Sequence, residues 1–280
     1  MDLNTVLEVR DARSRGVWRS GDAWLGGGTY LFSEPQPQLR RLIDLSRTGW
    51  PPLRVTAEGD LEIAATCTIA QLSRGAEEAG WASAPLFEQC CRAFLASWKI
   101  WNMATVGGNL CNSLPAGPMI SLMAALDGRC RLLSQSGAVR EVPVADFVTG
   151  AGRNVLRPGE LLRAVTLPAR ALAARTAFRQ ASLYGLGRSG ALLIGVLDAP
   201  LGGQAPCGTL TLTITASTVR PIQLRFPVPP NARAMREAVE NAVEPGEYFD
   251  DIHGLPSWRR HMTLRYAEEI RGELGKERDR

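Results

Sequence analysis

The chain has 280 residues, 45% of them hydrophobic and 21% charged, an ordinary globular composition that excludes a disordered chain. Its 32 lysines and arginines against 28 acidic residues leave a net charge of +4, too mild to point to nucleic acid or a membrane surface. No stretch approaches the roughly 20 apolar residues that span a bilayer, and the first residues lack a secretory apolar run, so a cytoplasmic protein is expected.

At roughly 100–200 residues per domain, two domains are expected. Ala23, Trp24 and Leu25 predict a short buried strand running into Gly26, Gly27 and Gly28. Residues 39–45 read as a second strand or a short helix. Leu53, Val55 and Ala57 alternate with polar residues, Glu58-Gly59-Asp60 turns the chain, and Leu61, Ile63 and Ala65 alternate again, which predicts a hairpin. Thr68 is placed to cap a helix over 69–79, with Gly80 in the terminal left-handed position. Residues 84–97 predict another helix with Pro85 in its first turn. Residues 98–118, rich in Gly and Asn, read as irregular. Pro118 can open a helix over 119–127 that Gly128 stops. Residues 129–133 and 139–142 predict strands around a Ser-Gly turn, and Pro158-Gly159 turns into a strand over 160–167 closed by Pro168.

The text then becomes Ala- and Arg-rich, and the domain boundary is expected between 168 and 175. The division is residues 1–172, in two parts (1–52 and 53–172), followed by 173–280. Residues 191–197 form the longest apolar run, one strand's worth. In 209–216 threonines alternate with Leu210, Leu212 and Ile214, the pattern of a half-buried antiparallel strand. Residues 222–228 predict its neighbour. Asn231 caps a helix through 243, and Ser257 a last helix through 274. The tail is thus a small α+β domain.

Six cysteines (Cys67, Cys90, Cys91, Cys111, Cys130 and Cys207) include no C-x-x-C pair, so buried, reduced thiols are expected rather than metal ligands. His253 and His261, the only histidines, match no zinc spacing. No catalytic acid or base stands out.

Two glycine segments carry the chemistry: Trp24-Leu25-Gly26-Gly27-Gly28-Thr29-Tyr30-Leu31 and Ala104-Thr105-Val106-Gly107-Gly108-Asn109-Leu110. Glycine admits positive φ and close backbone approach. Successive N–H groups in such turns form a concave anion site, and Thr29, Thr105 and Asn109 add donors. Either loop alone reads first as a tight turn or bulge; together they can hold one diphosphate without a lysine. Neither is a Walker A loop. Gly185-Leu186-Gly187-Arg188-Ser189-Gly190 fits G-x-G-x-x-G, but no acidic residue follows at ~20 positions, so it is read as a loop and not a dinucleotide fingerprint.

With both loops in view, the chain resembles the FAD-binding medium subunit of the molybdenum hydroxylases, the family of xanthine dehydrogenase and aerobic carbon monoxide dehydrogenase flavin subunits. The family's Ala-Gly-Gly-Thr-Asp-Leu appears as Gly26-Gly27-Gly28-Thr29-Tyr30-Leu31. Its Thr-(Ile/Val)-Gly-Gly-Asn appears as Thr105-Val106-Gly107-Gly108-Asn109, followed by Asn112-Ser113-Leu114-Pro115. Pro158-Gly159-Glu160-Leu161-Leu162 and Ala177-Phe178-Arg179-Gln180 match two further segments. Three places depart from the pattern. Tyr30 and Pro118 stand where acids are expected, and residues 183–190 replace an Arg-rich run.

The resemblance implies an α+β fold: a PCMH-type, vanillyl-alcohol-oxidase-like two-part FAD-binding domain, then the small C-terminal domain. It implies that Leu25, Gly26, Gly27, Gly28, Thr29, Tyr30, Leu31 and Phe32, with Thr105, Val106, Gly107, Gly108 and Asn109, wrap the FAD diphosphate and ribityl chain. Leu95 would be an apolar contact, Leu162 would pack near adenine or flavin, and Arg179 would lie beside the isoalloxazine. Core packing serves Leu95 and Leu162 equally well, and a surface carboxylate would satisfy Arg179. The implied function is electron transfer in a heteromeric molybdenum hydroxylase, from [2Fe-2S] clusters on a small subunit through FAD to NAD⁺, oxygen or a quinone. Molybdopterin would sit on a large subunit, and the assembly would be a dimer of heterotrimers. A stand-alone flavin oxidoreductase and a flavin-free structural subunit are the alternatives.

Overall fold

The structure, a computed structural model, describes residues 3–14, 16–198 and 208–275. Cys207 lies outside the described residues. In chain order the first strands are β1 (Glu8–Asp11), β2 (Asp22–Leu25) and β3 (Arg41–Asp44), which form a parallel sheet in the order β1-β3-β2. Residues 39–45 therefore hold a strand, not a helix. Arg41 in β3 is buried and pairs with Asp22, donating through Nε at 2.8 Å. β4 (Leu53–Val55) and β5 (Leu61–Ala64) are the expected hairpin.

α1 (Ile69–Ala79) begins where Thr68 and Gln71 cap each other reciprocally and ends at Gly80, φ 67°. α2 (Ala84–Ala93) stops at Phe94, four residues short of expectation. Residues 98–118 are not irregular throughout: α3 (Trp98–Trp101) and α4 (Val106–Asn112) lie within them. Ser97 and Thr105 cap the two helices, and Val106 and Leu110 bury one face of α4. That cap and apolar spacing outweigh the poor helix propensity of Gly107 and Gly108. α5 (Pro118–Ala125) is buried on every side.

Then follow β6 (Arg129–Leu133), β7 (Val139–Pro143), α6 (Val144–Phe147), β8 (Val148–Gly150), β9 (Arg153–Asn154) and β10 (Leu161–Leu167). Strand β10 is the centre of a five-stranded antiparallel sheet, β4-β5-β10-β6-β7, while β8 and β9 pair alone. Trp24 Nε1 donates to the Glu160 carbonyl at 2.8 Å and ties the parallel sheet to this one.

α7 (Ala169–Leu172) occupies the expected boundary. Beyond it β11 (Arg175–Ala181), β12 (Ala191–Leu197), β13 (Leu210–Thr215) and β14 (Ile222–Phe226) form an antiparallel sheet, flanked by α8 (Ala232–Ala242) and α9 (Pro256–Leu274). Asn231 caps α8 as expected. Leu255, not Ser257, stands at the N-cap of α9, because Pro256 takes the first helical position that suits it.

β13 is buried along its whole length rather than on one face. Its leucines and Ile214 join the core under α8 and α9. Its threonines are buried, and two are paired: Thr213 accepts from Gln223 Nε2 at 3.3 Å, while Thr215 shares a 2.6 Å hydrogen bond with Ser121 of α5 and donates to the Leu192 carbonyl. Leu192, Ile194 and Val196 of β12 belong to the core that contains α5 and β10, while Ala191 and Leu193 belong to the core under α9. The larger core thus crosses the seam at 168–175.

Candidate functional site

An open cleft of about 430 Å³ lies where the loop after β2 meets the start of α4. The two glycine segments touch. A methyl built on Gly26 would lie 3.1 Å from Thr105 Oγ1, and one on Gly27 would stand 1.6 Å from the Met103 carbonyl oxygen. Gly28 has φ +71°, and its missing Cβ makes room for the Phe32 ring.

The two segments do different work. Among the described residues no main-chain N–H from residue 26 to residue 31 has a hydrogen-bond partner. All six of these residues line the cleft. The second segment is the reverse, and corrects the expectation that its amides form a second anion cradle. Val106 N donates to Cys67 O, Gly107 N to Ala65 O, Gly108 N to Thr105 Oγ1 and Asn109 N to Thr105 O. These amides are used up in capping and docking α4, so the segment meets the cleft through Thr105, Gly108 and the Asn109 side chain. Asn109 Oδ1 accepts from Met119 N at 3.1 Å, which fixes the side chain and leaves its NH₂ group as a donor.

The other expected site residues divide. Leu95 lines the cleft and is half exposed. Leu25, Phe32, Val106 and Gly107 support the walls without lining them. Leu162 is buried in the core as part of β10 and is not in the lining. Arg179 also lies outside it: its guanidinium is held by Glu269 at 2.8 Å and Glu273 at 2.7 Å, both on α9. The carboxylates of α9, distant in sequence, explain why the motif alone pointed elsewhere.

Several lining residues were not singled out: Phe94, Ile100, Cys111, Asn112, Leu114 and Arg188. Asn112 and Leu114 belong to the matched stretch Asn112-Ser113-Leu114-Pro115. Its shape is set by Ser113 at φ 52° and by Asn154 Nδ2, which donates to Cys111 O at 2.9 Å. Burial pushes the Cys111 thiol up to about 12, so it stays a neutral thiol near neutrality. Among the described residues no carboxylate lines the cleft. Free N–H and side-chain amide donors, with no anion facing them, suit the acceptor-only oxygens of a diphosphate. Among the described residues no cluster of His, Cys, Asp and Glu could hold a metal, and no helix is long and apolar enough to cross a membrane.

Comparison with known proteins agrees with this geometry. Residues 7–170 match the family described as the FAD binding domain in molybdopterin dehydrogenase. The carbon monoxide dehydrogenase medium chain of Afipia carboxidovorans is 38% identical over 74 residues, 26% of this chain and 25% of its own length. Xanthine dehydrogenase 2 of Arabidopsis thaliana is 33% identical over 84 residues, 28% of this chain but 6% of that protein. The match therefore spans a small part of these relatives. Across the whole length the fold superposes on a chain of the Cu,Mo-CO dehydrogenase crystal structure with a TM-score of 0.79, at 22% identity, covering 98% of this chain and 99% of that one. For quinoline 2-oxidoreductase from Pseudomonas putida 86 the TM-score is 0.75 at 20% identity, with 98% of both chains covered. The chain belongs to the family of FAD-binding domains of the molybdopterin dehydrogenases.

Proposed function

We propose that the cleft holds FAD with its diphosphate against the main chain of residues 26–31, and that the chain is the electron-transfer subunit of a heteromeric molybdenum hydroxylase. The observation that carries the placement is the run of unpartnered N–H groups along one wall. Each charge-assisted hydrogen bond to a phosphate oxygen contributes about 1.5–3 kcal/mol. Thr29, Thr105, Asn109 and Asn112 would orient the diphosphate and ribityl chain from the sides. Bound FAD supplies the ability to take electrons singly and give them up in pairs, while the protein supplies position and field.

The partners follow the family relation: a molybdopterin-binding large subunit and a [2Fe-2S] small subunit, in a dimer of heterotrimers. The electron acceptor would be NAD⁺, oxygen or a quinone. Co-purification from the native host, with a flavin spectrum and molybdenum and iron analysis, tests this. A yellow complex with molybdenum, iron and one FAD per chain is expected. A colourless chain with the same partners would make it a structural subunit, and activity from the lone chain with a soluble reductant would make it a stand-alone flavoprotein.

A further inference from the structure

Among the described residues Arg188 is the one charged side chain that lines the cleft. It sits in the loop between β11 and β12 that mimics a dinucleotide fingerprint, and it forms no ion pair or hydrogen bond among the described residues. Its position along the cleft is set by a neighbouring cavity of about 260 Å³. That cavity shares Leu114 and Arg188 with the cleft but none of residues 26–31. Arg188 therefore stands with Leu114 at the end of the cleft that borders this cavity, which none of the free amides lines. The other charged groups at that end are committed to each other. Arg259 pairs with Asp251 and donates to the carbonyls of Gly254 (2.9 Å), Gly190 (2.7 Å) and Ala216 (2.5 Å).

A dinucleotide whose diphosphate rests on residues 26–31 must extend both ways along the cleft. For its two ends the lining offers an apolar, uncharged set, Phe94, Leu95 and Ile100, and one guanidinium, that of Arg188. Adenine is neutral and suits the apolar set. The flavin ring collects charge: two electrons from an iron–sulfur donor or from dithionite, with one proton taken from water, would leave it a monoanion with charge across N1 and the C2 carbonyl.

We propose that Arg188 faces the pyrimidine edge of the isoalloxazine and stabilises that negative charge, the placement that the motif assigned to Arg179. This rests on the reading that the cleft holds FAD. A cation near N1 tunes a flavin directly, and Arg179 has its charge balanced by two carboxylates.

Sulfite addition to N5 of the oxidised ring tests it, because the adduct carries its negative charge at the same edge. The full chain is loaded with FAD and bleaching of the visible flavin band is titrated with sulfite. Arg188→Gln should raise the sulfite Kd about tenfold and lower the flavin midpoint potential. Arg188→Lys should restore most of both, and Arg179→Gln should change neither. An Arg188→Gln protein whose bound FAD keeps the wild-type sulfite Kd and potential overturns the proposal. So does one that loses FAD while the fraction still bound behaves as wild type, since Arg188 would then serve the diphosphate. A wild-type chain that takes up no FAD overturns the reading of the cleft itself, and the assignment of Arg188 with it.

Discussion

Gly107 and Gly108 are adjacent and motif-matched, yet a methyl group should do opposite things at each. At Gly107 an added Cβ would stand 2.5 Å from Ala65 Cβ and 2.7 Å from Ala65 O. Carbon atoms pack at about 3.5–4.0 Å, so α4 must retreat from the end of β5 by roughly 1 Å. Overpacking costs about 1–3 kcal/mol. The retreat also weakens the Gly107 N to Ala65 O hydrogen bond, 2.9 Å long, which adds about 1 kcal/mol. Set against the helix gain of about 0.5–1 kcal/mol for alanine, Gly107→Ala should destabilise the FAD-free chain by about 1–3 kcal/mol. At Gly108, exposed on the cleft side, the one close neighbour is Thr105 Oγ1 at 3.0 Å. Replacing glycine with alanine in a helix gains about 0.5–1 kcal/mol, which offsets the small shift of Thr105, so Gly108→Ala should unfold within about 1 kcal/mol of wild type. Its methyl projects into the cleft proposed for FAD, and FAD affinity should drop about tenfold or more. Urea unfolding of both FAD-free variants, with FAD affinity from quenching of flavin fluorescence, checks this. Equal losses of stability in the two variants would refute the reasoning. So would a Gly107→Ala protein as stable as wild type.

Other outcomes follow from buried polar groups. Asp22 and Arg41 are paired with their side chains 2% and 5% exposed, so Asp22→Asn should cost about 3–5 kcal/mol by leaving the guanidinium short of its counter-charge. Hydrogen bonding from Arg41 holds the Asp22 carboxyl below its usual range. Its contribution is therefore full above the ordinary carboxylate value near 3.9 and is lost as pH falls through the lower folded value. The stability gap between wild type and Asp22→Asn should shrink with acidification, and a constant gap in urea titrations at several pH values would contradict this. Thr215→Val removes the hydroxyl shared with Ser121 and should cost about 1–3 kcal/mol by the same assay, with FAD affinity unchanged. Burial pushes the Cys67 and Cys91 thiols up to about 12, and Cys90 and Cys130 are raised as well. Iodoacetamide should leave all four unmodified in the native protein and label them after unfolding, as read by peptide mass spectrometry.

Much of the fold was legible where local rules decide. Thr68 with Gly80, the Glu58-Gly59-Asp60 turn, Asn231, and Pro118 before an apolar run each marked an element that the structure contains. What escaped was tertiary. Gly107 and Gly108 read as loop, because nothing near them in sequence shows that Ala65 and Cys67 accept from the amides of Gly107 and Val106. The threonines of β13 read as a wet face, and only α5, some 90 residues earlier, supplies Ser121 to satisfy one of them in a dry one. At the cleft, glycines flagged a place where the chain comes close to something. They could not say that the first loop leaves its N–H groups free while the second spends them. Arg179 and Arg188 show the same limit, since the carboxylates that occupy one and bypass the other lie on α9.

Helix α5 has no face left for water. Its neighbours include β12 and β13, which follow it in the chain by about 70 to 90 residues, and its first turn is held by Asn109 at the cleft. During synthesis the side of this helix that α2, α4 and α6 leave uncovered waits until those strands have left the ribosome. A truncated FAD-binding unit ending near residue 168 would keep that apolar side bare. A cut at the boundary read from the sequence would therefore open the interior of the cofactor-binding half, whose last wall is the carboxy-terminal sheet.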